Sequence, residues 1–461
     1  MAVEAKEGSY ASAPALIDET NLLSSVIKLA WPVIVQQVSF SMVQLVDTAL
    51  VGHLGEDALA GVRLAGQLFW FSQAGIVAVG IGATAIVARS VGAGETEKAS
   101  RVLQTAFLMA LAWGCLMGVL MYFIGGSVLG FLGAEPAAQH NGAVFLKYAA
   151  IGMPAMALLF AGNAAQQGAG DTRTPMLVGL VINVVNVIVA YALINGAWGA
   201  PELGVKGSGL AFATSSFVGC ALVLVALASG SRTLSWSPTN RLDGESARRI
   251  LNVGLPAGVE QMQFNVAFLT YTAIIASLGT TALAAHGVTL AIQSLTFNVG
   301  FALGVATTAL VGQSLGAGRP DLAEKATWLT LRHSLIFMCA IGGLLMVFGG
   351  QITSLFVGGE DADDVVHIGR QLLLIFAFAM PGIAVSLTLG GALRGAGDTR
   401  AVLIIMAFST WVVRLVPAYL LAVTLGLGVP GAWVMAVGDI TVRSALMYGR
   451  FRTGKWKSIR V

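Results

Sequence analysis

The sequence predicts an all-α polytopic membrane protein with twelve transmembrane helices, arranged as two parallel six-helix repeats. Three observations lead to this fold class: a very low charge content, apolar segments of membrane-spanning length, and an internal duplication. The chain of 461 residues is 56% hydrophobic and only 11% charged, and its mean hydropathy is +0.81. Because soluble domains are about 25% charged, most of the chain is predicted to lie in a lipid bilayer.

Twelve apolar segments are long enough to cross the bilayer as helices, which requires about 20 residues. They are predicted at about 22–51, 58–86, 98–125, 142–168, 173–196, 206–230, 248–276, 282–311, 323–350, 366–393, 400–425 and 429–450. The stretch from Gln261 to Gln313 contains no Asp, Glu, Lys or Arg and is too long for one span. We therefore place a turn at Ser277 to Thr281.

The distribution of basic residues predicts the orientation of the chain in the plasma membrane, which for a bacterial protein is the cell inner membrane. Connections after even-numbered spans are rich in Arg and Lys, whereas those after odd-numbered spans are poor in them, and the segment from Glu360 to Asp364 is acidic. The basic residues in question are Arg89, Lys98, Arg101, Arg173, Arg232, Arg241, Arg248, Arg249, Arg319, Lys325 and Arg400. Both termini are therefore predicted to be cytoplasmic.

The second half of the chain repeats the first half in the same order. The segment 90–94 recurs at 314–318, Pro32 recurs as Pro256, and the segment 168–173 recurs at 395–400. Six spans per copy give both copies the same orientation, so they are parallel repeats with a substrate pathway expected between them. Because one chain supplies both copies, we expect a monomer.

This duplication defines the predicted domains. They are a cytoplasmic N-terminal segment 1–21, an N-lobe 22–230, a cytoplasmic linker 231–247, a C-lobe 248–450 and a basic cytoplasmic tail 451–461.

The first span carries the most informative pair of residues. Pro32 removes one backbone hydrogen bond and is predicted to bend the helix, and Pro256 is its counterpart in the seventh span. Asp47 follows in the second half of the first span, where a carboxylate is costly in lipid and should face protein or a water-filled cavity. It would then be suited to ion coupling, as a proton acceptor or a Na⁺ ligand. The alternative is that Asp47 lies in water at the membrane interface.

Other polar residues within the spans are candidates for lining a substrate or ion cavity. They are Gln36, Gln44, Asn183, Asn186, Glu260 and Gln263. Asn183 and Asn186 share one helix face, although buried amides also serve to pack membrane helices together. The repeat pairs Glu260 with Gln36, and Glu260 could equally be a carboxylate near a helix start, in water or hydrogen-bonded to a neighbouring helix.

Five further polar residues are interpreted as structural. Asp439 lies near the middle of the last span, where an acid requires a cationic partner, and we predict a structural pair with Arg414 in preference to a role in transport. Asp171 and Asp398 precede apolar runs and are predicted to cap helices. His286, near the start of the eighth span, is predicted to be a capping or interfacial residue.

The sequence gives no indication of an enzyme, a cofactor or a nucleic-acid partner. No Ser/His/Asp set or HExxH motif occurs, and Gly80 and Gly82 lie inside an apolar span where no dinucleotide loop could form. Cys115, Cys220 and Cys339 are isolated in apolar runs, which excludes a disulfide framework or zinc motif. A net charge of +3 is too small to suggest nucleic-acid binding.

Several motifs occur in a fixed order along nearly the whole chain. They are Pro32 with Val46-Asp47-Thr48 fifteen residues on, the segment 168–175, Gly254-Leu255-Pro256, Ala284-Ala285-His286, Leu393-Arg394-Gly395 and the segment 450–456. Together they resemble the multidrug and toxic compound extrusion (MATE) family. The resemblance implies two six-helix lobes in a V shape, export of organic cations and other amphipathic drugs against inward Na⁺ or H⁺, and a coupling role for Asp47.

The chain departs from both familiar branches of that family. NorM-like members carry a seventh-helix Glu and a tenth-helix Asp, and the aligned residues here are Phe264 and Ile383. DinF-like members carry a fifth-helix Asp four residues after an Asn, and here Asn186 is followed at that position by Ala190. The branch and the coupling ion are therefore open, with Glu260 as a conjectured substitute for the seventh-helix acid.

The functional hypothesis is a secondary antiporter that exports amphipathic, often cationic, drugs or metabolites. H⁺ is favoured over Na⁺, because a proton site needs one acid whereas Na⁺ usually takes several oxygen ligands. The rival within transport is a lipid-linked oligosaccharide flippase, which would need cationic groups for pyrophosphate, and Arg414 is the only arginine that we place in mid-span. A non-transporting membrane scaffold is the other alternative, although it would not require buried Asp47 and Glu260.

Overall fold

The computed structural model describes residues 22–229, 234, 243–356 and 362–459, and regular structure in these ranges is entirely helical. The predicted N-terminal segment 1–21 and most of the predicted linker 231–247 lie outside them. Twelve helical segments, α1 to α12, coincide with the twelve predicted spans. The predicted all-α fold of two six-helix lobes is therefore confirmed.

The bounds of the segments are as follows. The N-lobe comprises α1 Leu22–Gly52, α2 Glu56–Gly92, α3 Thr96–Phe131, α4 Pro136–Gly168, α5 Arg173–Asn195 and α6 Val205–Ala228. The C-lobe comprises α7 Gly244–Ala276, α8 Thr280–Gly316, α9 Pro320–Ser354, α10 with its two parts Ala362–Ala377 and Met380–Gly395, α11 Thr399–Thr424 and α12 Gly428–Arg452.

The described helices are long and apolar enough for a membrane protein. Nine of them could cross a bilayer by length and hydropathy, and the bent α10 makes ten if its two parts form one span. The other two, α7 and α12, contain 33 and 25 residues and carry buried charges within the span. The buried charged residues in these two helices are Glu260, Asp439 and Arg443.

The sequence repeats form equivalent turns in the two lobes. After α4, the amide of Asp171 donates to the carbonyl of Gln166 at 2.9 Å, and after α10 the amide of Asp398 donates to Leu393 at 2.8 Å. The turns after α2 and α8 are closed in the same way. These matching hydrogen bonds explain why short polar motifs recur at the helix ends while the apolar sequence between them varies.

The two lobes are in close contact at the end of the bundle that carries Arg89, Lys98, Arg173 and Arg319, which we call the basic end. There α2 and α8 cross with backbone against backbone. A Cβ atom at Gly92 would lie 2.0 Å from the carbonyl oxygen of Gln313, and one at Gly316 would lie 2.0 Å from that of Arg89. Carbon and oxygen do not approach below about 3.3 Å, so only glycine fits on either side of the crossing.

Further contacts across the lobes reinforce this crossing. Buried Gln313 of α8 donates from Nε2 to the Gly168 carbonyl of α4 at 3.0 Å. Towards the opposite end the side chains of α1 become more exposed. Val26 and Leu29 are buried, whereas Met42 and Leu45 are 63% and 66% exposed. The lobes are therefore packed together at the basic end and more open at the other.

The prolines distort the helices at places that the sequence analysis did not single out. Both α1 and α7 run unbroken through Pro32 and Pro256, so the predicted bends there stay predictions. The two parts of α10 meet at 51° immediately before Pro381, and its repeat counterpart Pro154 follows a 3₁₀ turn, Ala150–Gly152, within α4.

The predicted helix caps are only partly correct. Asp171 does accept from the Thr174 amide, at 3.0 Å, as a capping side chain should. Asp398 occupies the predicted N-cap position of its helix but makes no side-chain capping bond; its buried carboxylate instead accepts from Arg450 Nε at 2.7 Å. The start of α7 is capped by Asp243, whose pKa is held below its ordinary value chiefly by a hydrogen bond from the Ser246 hydroxyl.

The chain after α12 is docked on the basic end. Trp456 is fully buried, stacks on Phe451 with ring centroids 4.8 Å apart, and donates from Nε1 to the Phe451 carbonyl. Lys457 pairs with Glu324 at 2.5 Å, and Arg89 of the N-lobe donates to the carbonyl of Ile459 at 2.7 Å. The predicted basic tail therefore connects both lobes through ordered contacts.

Replacement of Gly92 by alanine tests the crossing between the lobes. The added methyl group must push α2 and α8 apart, and overpacking of this kind costs about 1–3 kcal/mol. We expect a lower midpoint of thermal unfolding in detergent. Gly52→Ala is the control, because no atom lies within 4 Å of its added Cβ. Equal midpoints for the two variants would contradict the assigned role of the crossing.

Candidate functional site

Asp47 lies half-buried in α1, opposite Asn186 of α5. One terminal atom of the buried Asn186 amide is 3.1 and 3.2 Å from the two carboxylate oxygens of Asp47. With nitrogen in that position, the amide donates to both oxygens; its other terminal atom is then placed towards the Ser215 hydroxyl of α6, 3.4 Å away. Three helices of the N-lobe thus bring an acid, an amide and a hydroxyl together.

Two other predicted N-lobe residues, Asn183 and Gln36, lie on the same α1–α5 contact. Asn183 donates from Nδ2 to Ser39 Oγ at 2.7 Å, and the side chain of Gln36 passes beside Gly179, where an added Cβ would come within 3.2 Å of Gln36 Cγ. Gln44 is exposed. The two asparagines therefore do share a face. That face of α5 contacts α1 at two residues, Ser39 and Asp47.

Two of the three positions at which the family resemblance implies additional acids hold buried apolar residues. Ala190 belongs to the core cluster that also contains Val51, and Ile383 belongs to the main C-lobe core. Phe264 is half-buried on α7. Within the described residues, no group of three or more His, Cys, Asp or Glu side chains is placed to hold a metal ion.

Glu260 of α7 is buried and forms an ion pair with Arg394 at the end of α10, with Nη2 and Oε1 2.5 Å apart. Its side chain is 10% exposed, against 22% for Arg394. The sequence left two structural alternatives for Glu260, a carboxylate in water and a carboxylate hydrogen-bonded to a neighbouring helix. The structure favours the second. Gln263, one turn further on, accepts from Trp411 Nε1 at 2.8 Å.

Asp439 of α12 is fully buried and is shared by two arginines. Arg414 of α11 lies 2.7 Å from Oδ2, as predicted, and Arg443 of α12 donates to Oδ1 and Oδ2 at 2.7 and 2.6 Å. Arg443 also donates to the hydroxyls of Ser409 and Thr410, each at 3.2 Å. The inference that Arg414 is the only arginine in mid-span is therefore wrong, because Arg443 is buried inside its span as well.

His286 is also placed differently from the prediction. It is buried in the C-lobe core between Tyr271 and Trp433. The centroid of its ring lies 5.7 Å from a ring centroid of each of these two residues. Trp433 Nε1 donates to His286 Nδ1 at 3.2 Å. A capping or interfacial role is excluded, because the ring lies seven residues into α8 and makes its contact with α12.

Sequence reasoning identified Asp47, Glu260 and Asp439 but missed several of the residues that contact polar side chains at these sites. Ser215 and Ser39 gave no signal, because serine is common in apolar helices and only the approach of α1, α5 and α6 selects these two. Arg443 was visible four residues after Asp439, one turn along the same helix face, and could have been assigned to it. The Glu260–Arg394 pair spans two helices and had no local signal.

Fold and interior together define a class: a polytopic membrane transporter with two lobes and buried polar groups in each. The MatE family model matches residues 32–192 and 256–420, which are corresponding parts of the two repeats. The chain belongs to the MatE family, that is, to the MATE transporters. This confirms the sequence-based resemblance and, since the family consists of transporters, the prediction that the protein is not an enzyme.

Individual relatives cover almost the whole chain. A protein named probable multidrug resistance protein NorM from Thermotoga maritima is 30% identical over 442 residues, which cover 94% of this chain and 92% of the relative. Multidrug resistance protein PmpM from Pseudomonas aeruginosa is 29% identical, with 87% and 84% covered.

Solved structures show the same fold. A MOP superfamily transporter from Pyrococcus furiosus superposes with a TM-score of 0.88 at 21% identity, over 96% of this chain and 99% of that one. A multidrug resistance MATE transporter in an outward-facing conformation gives a TM-score of 0.87 at 21% identity, with 94% and 96% covered. The V-shaped arrangement of two lobes is thereby confirmed.

A double-mutant cycle measures how much the Glu260–Arg394 ion pair contributes to the stability of the fold. Arg394→Met leaves a buried carboxylate without its partner, which costs about 3–5 kcal/mol, so we expect a strongly lowered unfolding midpoint in detergent. Combining it with Glu260→Gln should restore most of that loss. If the single variant Arg394→Met is as stable as the parent, the ion pair is not holding α7 and α10 together.

Proposed function

We propose that the protein is a monomeric secondary antiporter that exports amphipathic, often cationic, drugs or metabolites in exchange for H⁺. The observation that carries the proposal is the half-buried Asp47 with its amide partner Asn186 in a chain of the MATE family. The names of the relatives, which include multidrug resistance proteins, support drugs or drug-like metabolites as the substrates.

We further propose that the basic end faces the cytoplasm of a cell whose plasma membrane holds the protein, with both termini on that side. The excess of Arg and Lys at this end supports the orientation. The crossing of α2 and α8 then closes the cytoplasmic side, and the exposed second half of α1 faces a cleft open to the outside. In this state Asp47 is the acid that exchanges protons with the exterior.

Asn186 can serve Asp47 in both protonation states. An ionised carboxylate accepts two hydrogen bonds from the amide nitrogen, whereas a protonated carboxyl donates its O–H to the amide oxygen after the amide turns over. Either state is therefore hydrogen-bonded inside the lobe. Protonation removes one negative charge, which weakens the attraction for a cationic substrate and changes the α1–α5 contact that positions the part of α1 after Pro32.

The composition of this site favours H⁺ over Na⁺ as the coupling ion. Asp47 is the one carboxylate that the described residues place there, and the other oxygens belong to Asn186 and Ser215. Hard cations typically take about six oxygen ligands, often including more than one carboxylate. A proton needs a single acid and a partner that tolerates both of its states.

The described interior gives little support for the rival lipid-linked oligosaccharide flippase. A pyrophosphate group would require several unpaired cations, and the buried arginines Arg394, Arg414 and Arg443 all contact carboxylates. Three arginines on two carboxylates leave a formal excess of one positive charge, which is too little for a pyrophosphate group.

Asp47→Asn tests the assignment of the coupling residue. The variant cannot exchange a proton, so we expect gradient-driven efflux to fall by at least tenfold while the unfolding midpoint stays near that of the parent. Drug resistance of a sensitive host and efflux from proteoliposomes are the two measurements, at matched expression. Asp171→Asn is the control, because asparagine also caps helices. Undiminished efflux by the Asp47 variant would remove this residue from the mechanism.

The coupling ion is tested by imposing one gradient at a time on proteoliposomes. We expect efflux of a fluorescent cationic dye under an inward pH gradient and none above background under an inward Na⁺ gradient at equal pH. Transport driven by Na⁺ with the pH gradient collapsed, and abolished in the Asp47→Asn variant, would show that the site binds Na⁺ instead.

A further inference from the structure

A hydrogen bond joins the helix of Asp47 to the opposite lobe. Asn298 Nδ2 of α8 donates to Ser41 Oγ of α1 at 2.8 Å. The Ser41 hydroxyl in turn donates to the Gln37 carbonyl of its own helix at 3.1 Å. Ser41 precedes Asp47 by six residues, which is about 9 Å along a helix. The contact between the lobes therefore lies within two turns of the proposed proton site.

The first helix is held from two sides in this region. Two amides of α5 contact it, at Ser39 and at Asp47. With about 100° between successive residues, the Ser41 side chain is directed about 120° or more away from both of these residues, towards α8. A shift of α1 relative to α5 therefore changes the distance between Ser41 and Asn298.

The contact lies where α1 separates from the opposite lobe. Before it, Val26 and Leu29 belong to a buried cluster with Ala306 of α8. After it, Met42 and Leu45 are mostly exposed. A neutral hydrogen bond at this border can break without leaving a charge in lipid, and the serine hydroxyl keeps its bond to its own helix. The contact is therefore suited to open and close as the lobes move.

Protonation of Asp47 changes the contact on the other side of α1. The ionised carboxylate accepts twice from the Asn186 amide, whereas a protonated carboxyl donates once to the amide oxygen after the amide turns over. The part of α1 around Asp47 is then held to α5 by one hydrogen bond instead of two. Because Ser41 belongs to the same continuous helix, its hydroxyl moves with the carboxyl group.

The second repeat places a similar hydrogen bond at the equivalent position. Ser41 and Asn265 each stand nine residues after the proline of their helix. Asn265 Nδ2 of α7 donates to the Trp70 carbonyl of α2 at 3.3 Å. Two related hydrogen bonds thus join the lobes, one between α1 and α8 and the other between α7 and α2.

These two contacts differ in the residue that stands six positions further on. Asp47 follows Ser41, whereas Tyr271 follows Asn265 and is buried in the C-lobe core. A change of charge at Asp47 acts directly on the helix of the first contact, and the second contact has no carboxylate in the corresponding place. The duplication therefore provides a matched pair of contacts, of which one is placed to respond to the coupling ion.

We propose that Asn298 is a positioning residue of the antiport cycle, which holds the second half of α1 against the C-lobe through Ser41 while Asp47 is ionised and releases it when Asp47 is protonated. The inference rests on the proposed function, in which Asp47 exchanges protons. Through this hydrogen bond, protonation inside one lobe changes the contact between the two lobes.

Other titratable groups near this part of α1 must be distinguished from Asp47. The partners that α5 and α6 place at the carboxylate, Asn186 and Ser215, are neutral. The charged or titratable residues in the corresponding halves of the neighbouring helices are Glu56, Asp57 and Arg63 of α2, Tyr191 of α5, Lys206 of α6 and His286 of α8. The variant Asp47→Asn separates the contribution of Asp47 from theirs.

The test follows the distance between the lobes at the end opposite the basic end. His53 and Ser277 are exposed, lie at equivalent positions in the turns after α1 and α7, and are replaced by cysteines that carry spin labels. Double electron–electron resonance on the full chain in lipid nanodiscs, with the natural cysteines replaced by alanine, gives the distance at about pH 8 and about pH 5. We expect the parent to change its distance between the two pH values, and Asp47→Asn to show the low-pH distance at both.

Asn298→Ala is the decisive variant. Without the hydrogen bond across the lobes it should show the low-pH distance of the parent at both pH values, so that the shift falls at least threefold. Ser41→Ala should behave in the same way, whereas Ser41→Thr retains the hydroxyl and should keep the shift. In proton-driven efflux, Asn298→Ala should lower the maximal rate at least fivefold and change the half-saturating substrate concentration less than twofold.

Asn265→Ala is the matched control, because it removes the hydrogen bond at the equivalent position without touching the helix of Asp47. We expect it to keep the pH-dependent shift of the parent. Both Asn298→Ala and Asn265→Ala should unfold near the midpoint of the parent, since each removes one neutral side-chain contact.

The outcomes separate this inference from the proposed function. A shift that is lost in Asp47→Asn but persists in Asn298→Ala refutes the role of Asn298 and leaves the antiporter in place. An equal loss of the shift in Asn265→Ala shows that the two bonds only hold the lobes together, which also refutes it, as does a parent that exports substrate without any pH-dependent change of distance. A parent without proton-driven efflux refutes the antiporter itself.

Discussion

Polar groups inside the lobes must find their partners within the chain, because lipid offers none, and this requirement determines how the helices are placed. Asp439 is fully buried beside two guanidinium groups, and one of these, that of Arg443, is itself held by two hydroxyls. Glu260 connects the middle of α7 to the end of α10. In the N-lobe, Asn183 and Asn186 attach α5 to α1 at two levels. Each of these contacts selects one arrangement among the many that apolar packing alone would allow.

The lobes meet through backbone contacts, which constrain motion in a different way. Where Gly92 and Gly316 lie against carbonyl groups of the opposite lobe, neither helix can slide without a clash. On the second half of α1 several side chains are exposed, and a contact across the lobes there is made by side chains, from Asn298 Nδ2 of α8 to Ser41 Oγ at 2.8 Å. A firm crossing at the basic end and a looser arrangement at the other end are what a rocking motion of two rigid lobes requires. The docked Trp456 and its neighbours add a second tie between the lobes at the same end.

The two repeats share one arrangement of helices and turns, but the polar residues in the interiors of the two lobes differ. The repeated turns close with equivalent hydrogen bonds, and glycine occupies equivalent positions at the crossing. The repeat, however, places Gln36 opposite Glu260 and Asp47 opposite Tyr271. One lobe therefore offers an acid with an amide that can turn over, and the other offers arginines in excess. Substrate and coupling ion need not share one site in such a protein, since each lobe has its own chemistry.

The sequence by itself determined the number of spans, their approximate ends and the duplication, and it singled out Asp47 as an acid inside an apolar helix. These features depend on hydrophobic length, on the position of basic residues and on polar residues that apolar helices do not otherwise carry. It also placed Asn183 and Asn186 on one face, and it paired Arg414 with Asp439. Only the tertiary structure decided that Ser215 completes the Asp47 site, that Arg394 neutralises Glu260 and that His286 is part of the core. The physical reason is that these contacts join helices far apart in the chain, and their identity depends on the relative rotation of packed helices, which no local pattern specifies.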